Sequence, residues 1–312
     1  MKCVLCNTEG SIKRLESLSI KKIVARYDGE LKAAVAECFA GLKKIDFVQC
    51  ERCSLKFFAP SVEGSKNFYE ILYKQNKTLY YLEEKEEFDY VASLIPSSAK
   101  VLEIGAGSGN FAKNIPHANY IGLELSDEAI ALAKNRGIKI LPQFLNEHLV
   151  DHGEYDVVCA FQVLEHIGDV RTFIQDSVKA LKKGGLLIYT VPSDDSFVSL
   201  VKNNNLNMPP HHLSRWPDRA FHSVASLFEL KLKTIHHHHL EEIHEEWFRT
   251  NVSLFFLGRL LGLKNGVLDT SWRYKFLKKI LRFGVVKRIM AALFEIPGLN
   301  PNGHSVTVVL EK

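Results

Sequence analysis

The chain has 312 residues, 46% of them apolar and 24% charged, enough to bury a full core and to carry one large domain with additions. A net charge of +4, from 40 basic against 36 acidic residues, excludes a globally basic nucleic-acid binder, and no nucleic-acid partner is expected. No run of about eighteen apolar residues occurs, and Met1-Lys2-Cys3-Val4-Leu5-Cys6 lacks the layout of a secretory signal, so a cytoplasmic location is expected.

Residues 1–60 are short mixed strands around two C-x-x-C pairs, Cys3/Cys6 and Cys50/Cys53, ending at Phe57-Phe58-Ala59-Pro60. They read as a small N-terminal zinc-binding module. Four thiolates suit a tetrahedral Zn²⁺, although the intervening segment 7–49 is longer than the usual knuckle. Metal-free buried thiols and redox chemistry are the other readings of the same pairs. A four-thiolate site leaves no open coordination position, so the metal is expected to be structural. Cys38 and Cys159 read as packing residues. In 61–97, Phe68, Ile71, Leu72, Phe88, Val91 and Leu94 recur at helical spacing, which predicts a helical linker stopped by Pro96.

From residue 98 the period changes. Short apolar runs alternate with helical segments, the pattern of βαβ units around a mostly parallel sheet. Expected strands cover 100–104, 119–123, 138–141, 155–161, 186–191, 230–236 and 305–311. Together they predict an α/β fold with one doubly wound, seven-stranded Rossmann-like sheet formed by 98–240 and 301–312. Residues 241–300 are a helical cap inserted before the last strand. Within 251–290, nine Lys or Arg stand against Asp269 alone, with Phe255, Phe256, Leu260, Leu261, Phe276 and Leu281 at near-helical spacing. A cover over substrate, a phosphate patch, a peripheral contact with anionic lipid and a solvated face are the open readings. The four histidines 236–239, followed by Glu241, Glu242, His244, Glu245 and Glu246, have a metal-binding composition that a solvated helix start explains equally well.

The strongest local signal is Val101-Leu102-Glu103-Ile104-Gly105-Ala106-Gly107-Ser108-Gly109-Asn110-Phe111, an apolar strand running into three alternating glycines. Glycine tolerates positive φ and lets the backbone approach a ligand closely, while the following helical turn presents free N–H groups. A dinucleotide fingerprint would place its third glycine at position 110, where Asn110 stands. The segment resembles instead the first motif of the class I S-adenosylmethionine-dependent methyltransferases, with Glu103 at the acidic position two residues before the first glycine. That resemblance implies a cofactor cradle of Glu103, Gly105, Ala106, Gly107, Gly109 and Phe111. It places Glu124 and Leu125 at the ribose, Phe144 with Gln143 at the adenine edge, and Phe161, Gln162 and Glu165 beside the methionine part. Leu181-Lys182-Lys183-Gly184-Gly185-Leu186 supplies the helix end, glycine turn and fifth strand usual in the family. A nicotinamide-dependent oxidoreductase on a related fold and a non-catalytic binding module are the alternatives.

A related quinone O-methyltransferase group carries Glu-x-x-Glu-His after the fourth strand and uses it for a divalent metal. Gln162 stands at the first acidic position here, and an amide is a poorer ligand for a hard cation than a carboxylate, so no such metal is expected. The segment from Phe47 to Pro60 resembles the N-terminal zinc-binding segment of bacterial methyltransferases that often act on sugars or surface-glycan precursors. The run Met208-Pro209-Pro210-His211-His212-Leu213-Ser214-Arg215-Trp216 resembles one that related methyltransferases place over the substrate side. Methyl transfer is an in-line displacement, and a hydroxyl or acidic carbon must also lose a proton. His211, His212 and His166 are the candidate bases, against the reading of histidines that cap a helix or bond the backbone. The resemblance thus implies S-adenosylmethionine and structural Zn²⁺ as cofactors, and a small-molecule substrate such as a nucleotide- or lipid-linked sugar.

Overall fold

The computed structural model describes residues 1–31, 35–75, 85–116, 119–151, 153–281 and 301–312. Four short apolar runs, β4 (Val101–Ile104), β5 (Tyr120–Leu123), β6 (Ile140–Leu141) and β7 (Tyr155–Phe161), lie parallel beside β8 (Leu181–Pro192). Strands buried on both faces need continuous apolar sequence, and all four residues of β4 are buried. β10 (Lys231–His239) and β11 (Asn302–Glu311) complete the sheet antiparallel, giving the order β10-β11-β8-β7-β4-β5-β6. Because β5 and β7 flank β4 on opposite sides, the strand order reverses at β4, the kind of switch point at which open α/β sheets bind ligands in the crevice beyond the strands' carboxyl ends.

Sequence and structure differ at several edges. The third strand is two residues rather than four, and the fifth begins at Leu181, directly after the Val170–Ala180 helix, with a register shift before Leu186. The histidine run 236–239 is strand rather than helix start. His236 and His237 pair with Thr307 and Val306 of β11, and His238 is buried and bonded to Thr307 Oγ1 (2.7 Å). Long-range pairing with β11 decides this, and local composition does not carry it.

The N-terminal residues form a second, antiparallel sheet in the order β1-β2-β3-β9: β1 (Ile12–Ser19), β2 (Lys44–Cys50), β3 (Lys56–Ala59) and β9 (Ser214–Arg215). Its fourth strand therefore comes from the histidine-bearing segment, through pairs Lys56↔Arg215 and Phe57↔Ser214. One contiguous core joins Cys3, Cys50, Cys53 and Phe57 to Tyr189, Trp216 and Phe221. The 61–97 segment contains helices Lys66–Gln75 and Glu86–Ser93, which bury Phe68, Leu72, Phe88 and Val91. Before β11, helices Glu242–Leu260 and Trp272–Ile280 are described, and the rest of the basic stretch, from residue 282, lies outside the described residues. Among the described residues no helix is long and apolar enough to cross a membrane.

Candidate functional site

The glycine loop leaves β4 with Gly105, Gly107 and Gly109 at φ of +73°, +52° and +76°. The Gly105 and Ala106 N–H groups both donate to the Leu123 carbonyl (2.8 and 2.9 Å), which ties the loop to the end of β5. A Cβ at Gly105 would sit 2.5 Å from Val163 Cγ2, whereas one at Gly107 would meet nothing within 4 Å, so Gly107 borders open space. Glu124 closes the arrangement. Its Oε2 accepts the Gly107 N–H (2.9 Å), and its Oε1 accepts those of Leu125 (2.7 Å) and Ser126 (2.9 Å). Of about four lone-pair sites on a carboxylate, that leaves one for a further donor. Glu103 is buried beneath, accepting the Tyr120 hydroxyl, and burial pushes its carboxyl up to about 8.

Leu125 and Phe144 end up 47% and 57% exposed, apolar side chains standing open just beyond the carboxyl ends of β5 and β6. Phe111 and Phe161 turn inward and pack on each other (4.7 Å between centroids) and on Phe88, so their rings support the crevice from below. Gln162, at φ +56°, donates through Nε2 to Ser305 Oγ (3.1 Å) and to Glu87 Oε2 (3.4 Å).

His166 and the His211/His212 pair converge beside this crevice. Their ring centroids lie 4.6 Å (His166–His211), 4.7 Å (His166–His212) and 4.6 Å (His211–His212) apart. A carbonyl oxygen only accepts, so His166 Nδ1–H donates to the His211 carbonyl (2.7 Å) and His211 Nδ1–H to the Leu206 carbonyl (2.8 Å). His212 Nδ1 meets Asn207 Oδ1 (3.3 Å). Burial holds His166 down to about 4 and the other two well below the usual histidine range, so all three are neutral imidazoles at neutral pH. Glu165 lies against them at 1% exposure, and burial pushes its carboxyl up to about 8. Tyr69 covers the group, about 6.1 Å from both His166 and His211.

A profile of the methyltransferase domain family matches residues 78–234, half of the chain. The chain belongs to the class I methyltransferase family. Among curated proteins the chain is 31% identical over 130 residues to an uncharacterised protein of Methanocaldococcus jannaschii, covering 42% of the chain and 60% of that protein. It is 32% identical over 100 residues to a ubiquinone biosynthesis O-methyltransferase of Cronobacter sakazakii, covering 29% of the chain and 41% of that enzyme. The alignment with the first thus spans less than two thirds of its length and that with the second less than half. Among solved structures it is similar to a SAM-dependent methyltransferase from Archaeoglobus fulgidus at 14% identity and a TM-score of 0.47, over 76% of this chain and 100% of that one.

In the N-terminal module the two cysteine pairs interlock. Cys3 Sγ lies 3.5 Å from Cys53 Sγ, Cys6 Sγ lies 3.6 Å from Cys50 Sγ, and all four sulfurs fall within 4.8 Å of one another. A tetrahedron with metal–sulfur bonds of about 2.3 Å has edges of about 3.8 Å, so the four sulfurs fit Zn²⁺ with little movement. Cys38 and Cys159 stand apart from this group.

Two polar features near the candidate site were not expected from the sequence. Glu87 is buried beside Gln162, and a signal existed for it: four residues before Val91, it puts a carboxylate on the helix's apolar face. His304 joins Glu241 and His244 in a second cluster at the start of β11, with ligand atoms within 4.8 Å. No local pattern signals His304, because the sheet brings it there.

Proposed function

We propose that this methyltransferase transfers the methyl group of S-adenosylmethionine to a small polar molecule, a nucleotide- or lipid-linked sugar. One observation carries the cofactor assignment: Glu124 grips the Gly107 amide across a loop of three positive-φ glycines, beside open space. In this reading the backbone of the Gly105–Gly109 loop, held in shape by its own hydrogen bonds, lies against the methionine part where Gly107 borders open space, Glu124 takes a ribose hydroxyl, and Leu125 and Phe144 lose their exposure against adenine. Phe111, Phe161 and Gln162 fix the floor beneath.

Acceptor activation is assigned to Glu165, His166, His211 and His212 as a unit, since neutral imidazoles supply the lone pairs that removal of an acceptor proton requires. The sugar part of this reading is supported by the resemblance of the Phe47–Pro60 segment to that of bacterial methyltransferases that often act on sugars, and by that of the Met208–Trp216 run to one that related methyltransferases place over the substrate side. The cysteine cluster holds structural Zn²⁺. Exposed Phe256, Leu260, Leu261, Trp272 and Phe276, interspersed with Arg259, Arg273 and Lys275, support peripheral contact with anionic lipid.

Calorimetric titration with S-adenosylhomocysteine tests the cofactor reading, and heat from reduced dinucleotide in its place would overturn it. Incubation with methyl-labelled S-adenosylmethionine and separated nucleotide-sugar and lipid-linked sugar pools tests the acceptor. Label appearing only in quinol precursors would replace the sugar.

A further inference from the structure

Glu165 presents an unusual problem for a hydrogen-bonded interior. Both of its carboxylate oxygens are buried and neither has a hydrogen-bond partner, although a buried carboxyl group without donors is among the costlier arrangements a fold can hold. Oε1 instead points between two ring nitrogens, 3.9 Å from His166 Nε2 and 3.8 Å from His212 Nε2. One ring nitrogen from each of His166, His211 and His212 lies within 4.8 Å of the others. On their far sides, Nδ1 of His166 and of His211 donates to a main-chain carbonyl, and Nδ1 of His212 meets a side-chain amide oxygen. That is the pattern by which metal-ligating histidines are oriented, with the outer N–H fixed and the inner lone pair aimed at one point.

We propose that His166, His211, His212 and Glu165 hold a divalent first-row transition ion. Three imidazoles and one carboxylate are the donor set for Zn²⁺ or its Mn²⁺-to-Cu²⁺ neighbours, and a poor one for Mg²⁺ or Ca²⁺, which take oxygen. Metal–ligand bonds of about 2.1 Å in a tetrahedron put ligand atoms about 3.4 Å apart. The nitrogen–oxygen separations from Glu165 Oε1 to His166 and His212 therefore close by about 0.4–0.5 Å on binding, within side-chain reach. The ion supplies the partner that Oε1 of Glu165 lacks and offsets the carboxylate's charge. The site differs from a Glu-x-x-Glu-His set, because Gln162 turns away to Ser305 and Glu87 while the 211–212 pair brings in two further nitrogens. An ion bound here would take up the lone pairs assigned above to proton removal, so activation of the acceptor would pass from an imidazole to the ion, and its binding stands apart from cofactor or acceptor identity.

The test is titration of chelator-stripped, full-length protein with Co²⁺ alone, followed by absorption. Two equivalents are expected: one with the intense near-ultraviolet thiolate bands of the cysteine cluster, and one with only weak visible bands of nitrogen and oxygen ligands. Substitutions His166→Gln and His212→Ala should each remove the second equivalent, or weaken it at least about 100-fold, and retain the first. The retained thiolate bands double as the control for folding, and Glu165→Gln, which keeps the side chain's volume, should weaken the same equivalent. Binding of the thiolate equivalent alone by the unsubstituted protein would overturn the proposal, as would retention of both equivalents in His166→Gln and His212→Ala. S-adenosylhomocysteine binding, measured on the stripped protein, separates a failure of the metal site from a failure of the methyltransferase reading.

Discussion

Replacing Glu124 by Gln isolates the contact on which the proposed cofactor cradle depends. The carboxylate accepts three backbone N–H groups, two on Oε1 from Leu125 and Ser126 and one on Oε2 from Gly107. An amide oxygen in the Oε1 position keeps the first two, but the NH₂ in the Oε2 position faces the Gly107 N–H, donor against donor. A hydrogen bond to an ionised acceptor contributes about 1.5–3 kcal/mol, and the half-buried position of Glu124 argues for the lower end. The Gly107 peptide is then free to turn, and the acceptor site left for a ribose hydroxyl becomes a donor. With about 1.4 kcal/mol to each factor of ten, S-adenosylhomocysteine should bind E124Q about 10- to 100-fold more weakly by calorimetry. Thermal unfolding of the unliganded protein should change little beyond the loss of one hydrogen bond. An affinity within twofold of the original would refute the placement of Glu124 against the cofactor.

Four further outcomes follow from the same structure. Gly105→Ala drives a Cβ onto Val163 at positive φ and should destabilise the fold by about 2–4 kcal/mol in urea unfolding, whereas Gly107→Ala meets only the φ cost of about 1 kcal/mol yet weakens S-adenosylhomocysteine at least tenfold. Glu103 titrates near its ordinary 4.5 when unfolded and at about 8 when folded, so its contribution to stability is fully present below about pH 4.5 and is lost as pH rises through 8. Glu103→Gln should therefore flatten the pH slope of unfolding free energy between about pH 5 and 8 by up to about 1.4 kcal/mol per unit, and an unchanged slope would contradict the buried, protonated carboxyl. Cys53→Ser should lose the thiolate-bound metal equivalent by elemental analysis and lower the unfolding temperature of the whole chain, because Cys53 shares its core with Trp216 and Phe221. Vesicles containing anionic lipid should sediment the protein at low salt, and Trp272→Glu together with Phe276→Glu should abolish it; binding equal to that of neutral vesicles would refute the contact.

The parts legible in the sequence are those whose causes are local. β4, β5 and β7 are apolar runs because both faces of a central parallel strand are covered, and the alternating glycines after β4 mark a turn whatever surrounds it. The cysteine pairs were readable from spacing, but their cross-pairing, Cys3 toward Cys53 and Cys6 toward Cys50, belongs to the fold of β2 and β3. Where pairing across the chain decides, the sequence is silent. Ser214 and Arg215 are a strand only because β3 offers an edge, and the histidines after Ile235 extend β10 only because β11 lies beside them. Glu165 and His166 carried a recognisable motif, yet their convergence with His211 and His212 depends on that same edge.

This dependence gives the N-terminal module a task that a closed four-thiolate cluster does not suggest by itself. From the Cys50–Cys53 turn the chain runs directly into β3, whose Phe58 N–H donates to the Leu213 carbonyl (3.0 Å). The Leu213 N–H in turn donates to the Glu165 carbonyl (2.8 Å), and β9 follows at once. Leu213 is thus held from both sides, by the cysteine module and by the loop after β7, with His212 adjacent to it in sequence. Arg215, buried against Phe47 (4.7 Å) and Phe58 (5.8 Å), pins the far end of the segment to the same module. Histidines on an unbraced loop would sample many orientations, and a cluster that must aim three ring nitrogens at one point tolerates few of them. The cysteine module therefore fixes the sheet edge against which the histidine segment is laid down, and Cys53→Ser should disturb the proposed histidine site as well as its own.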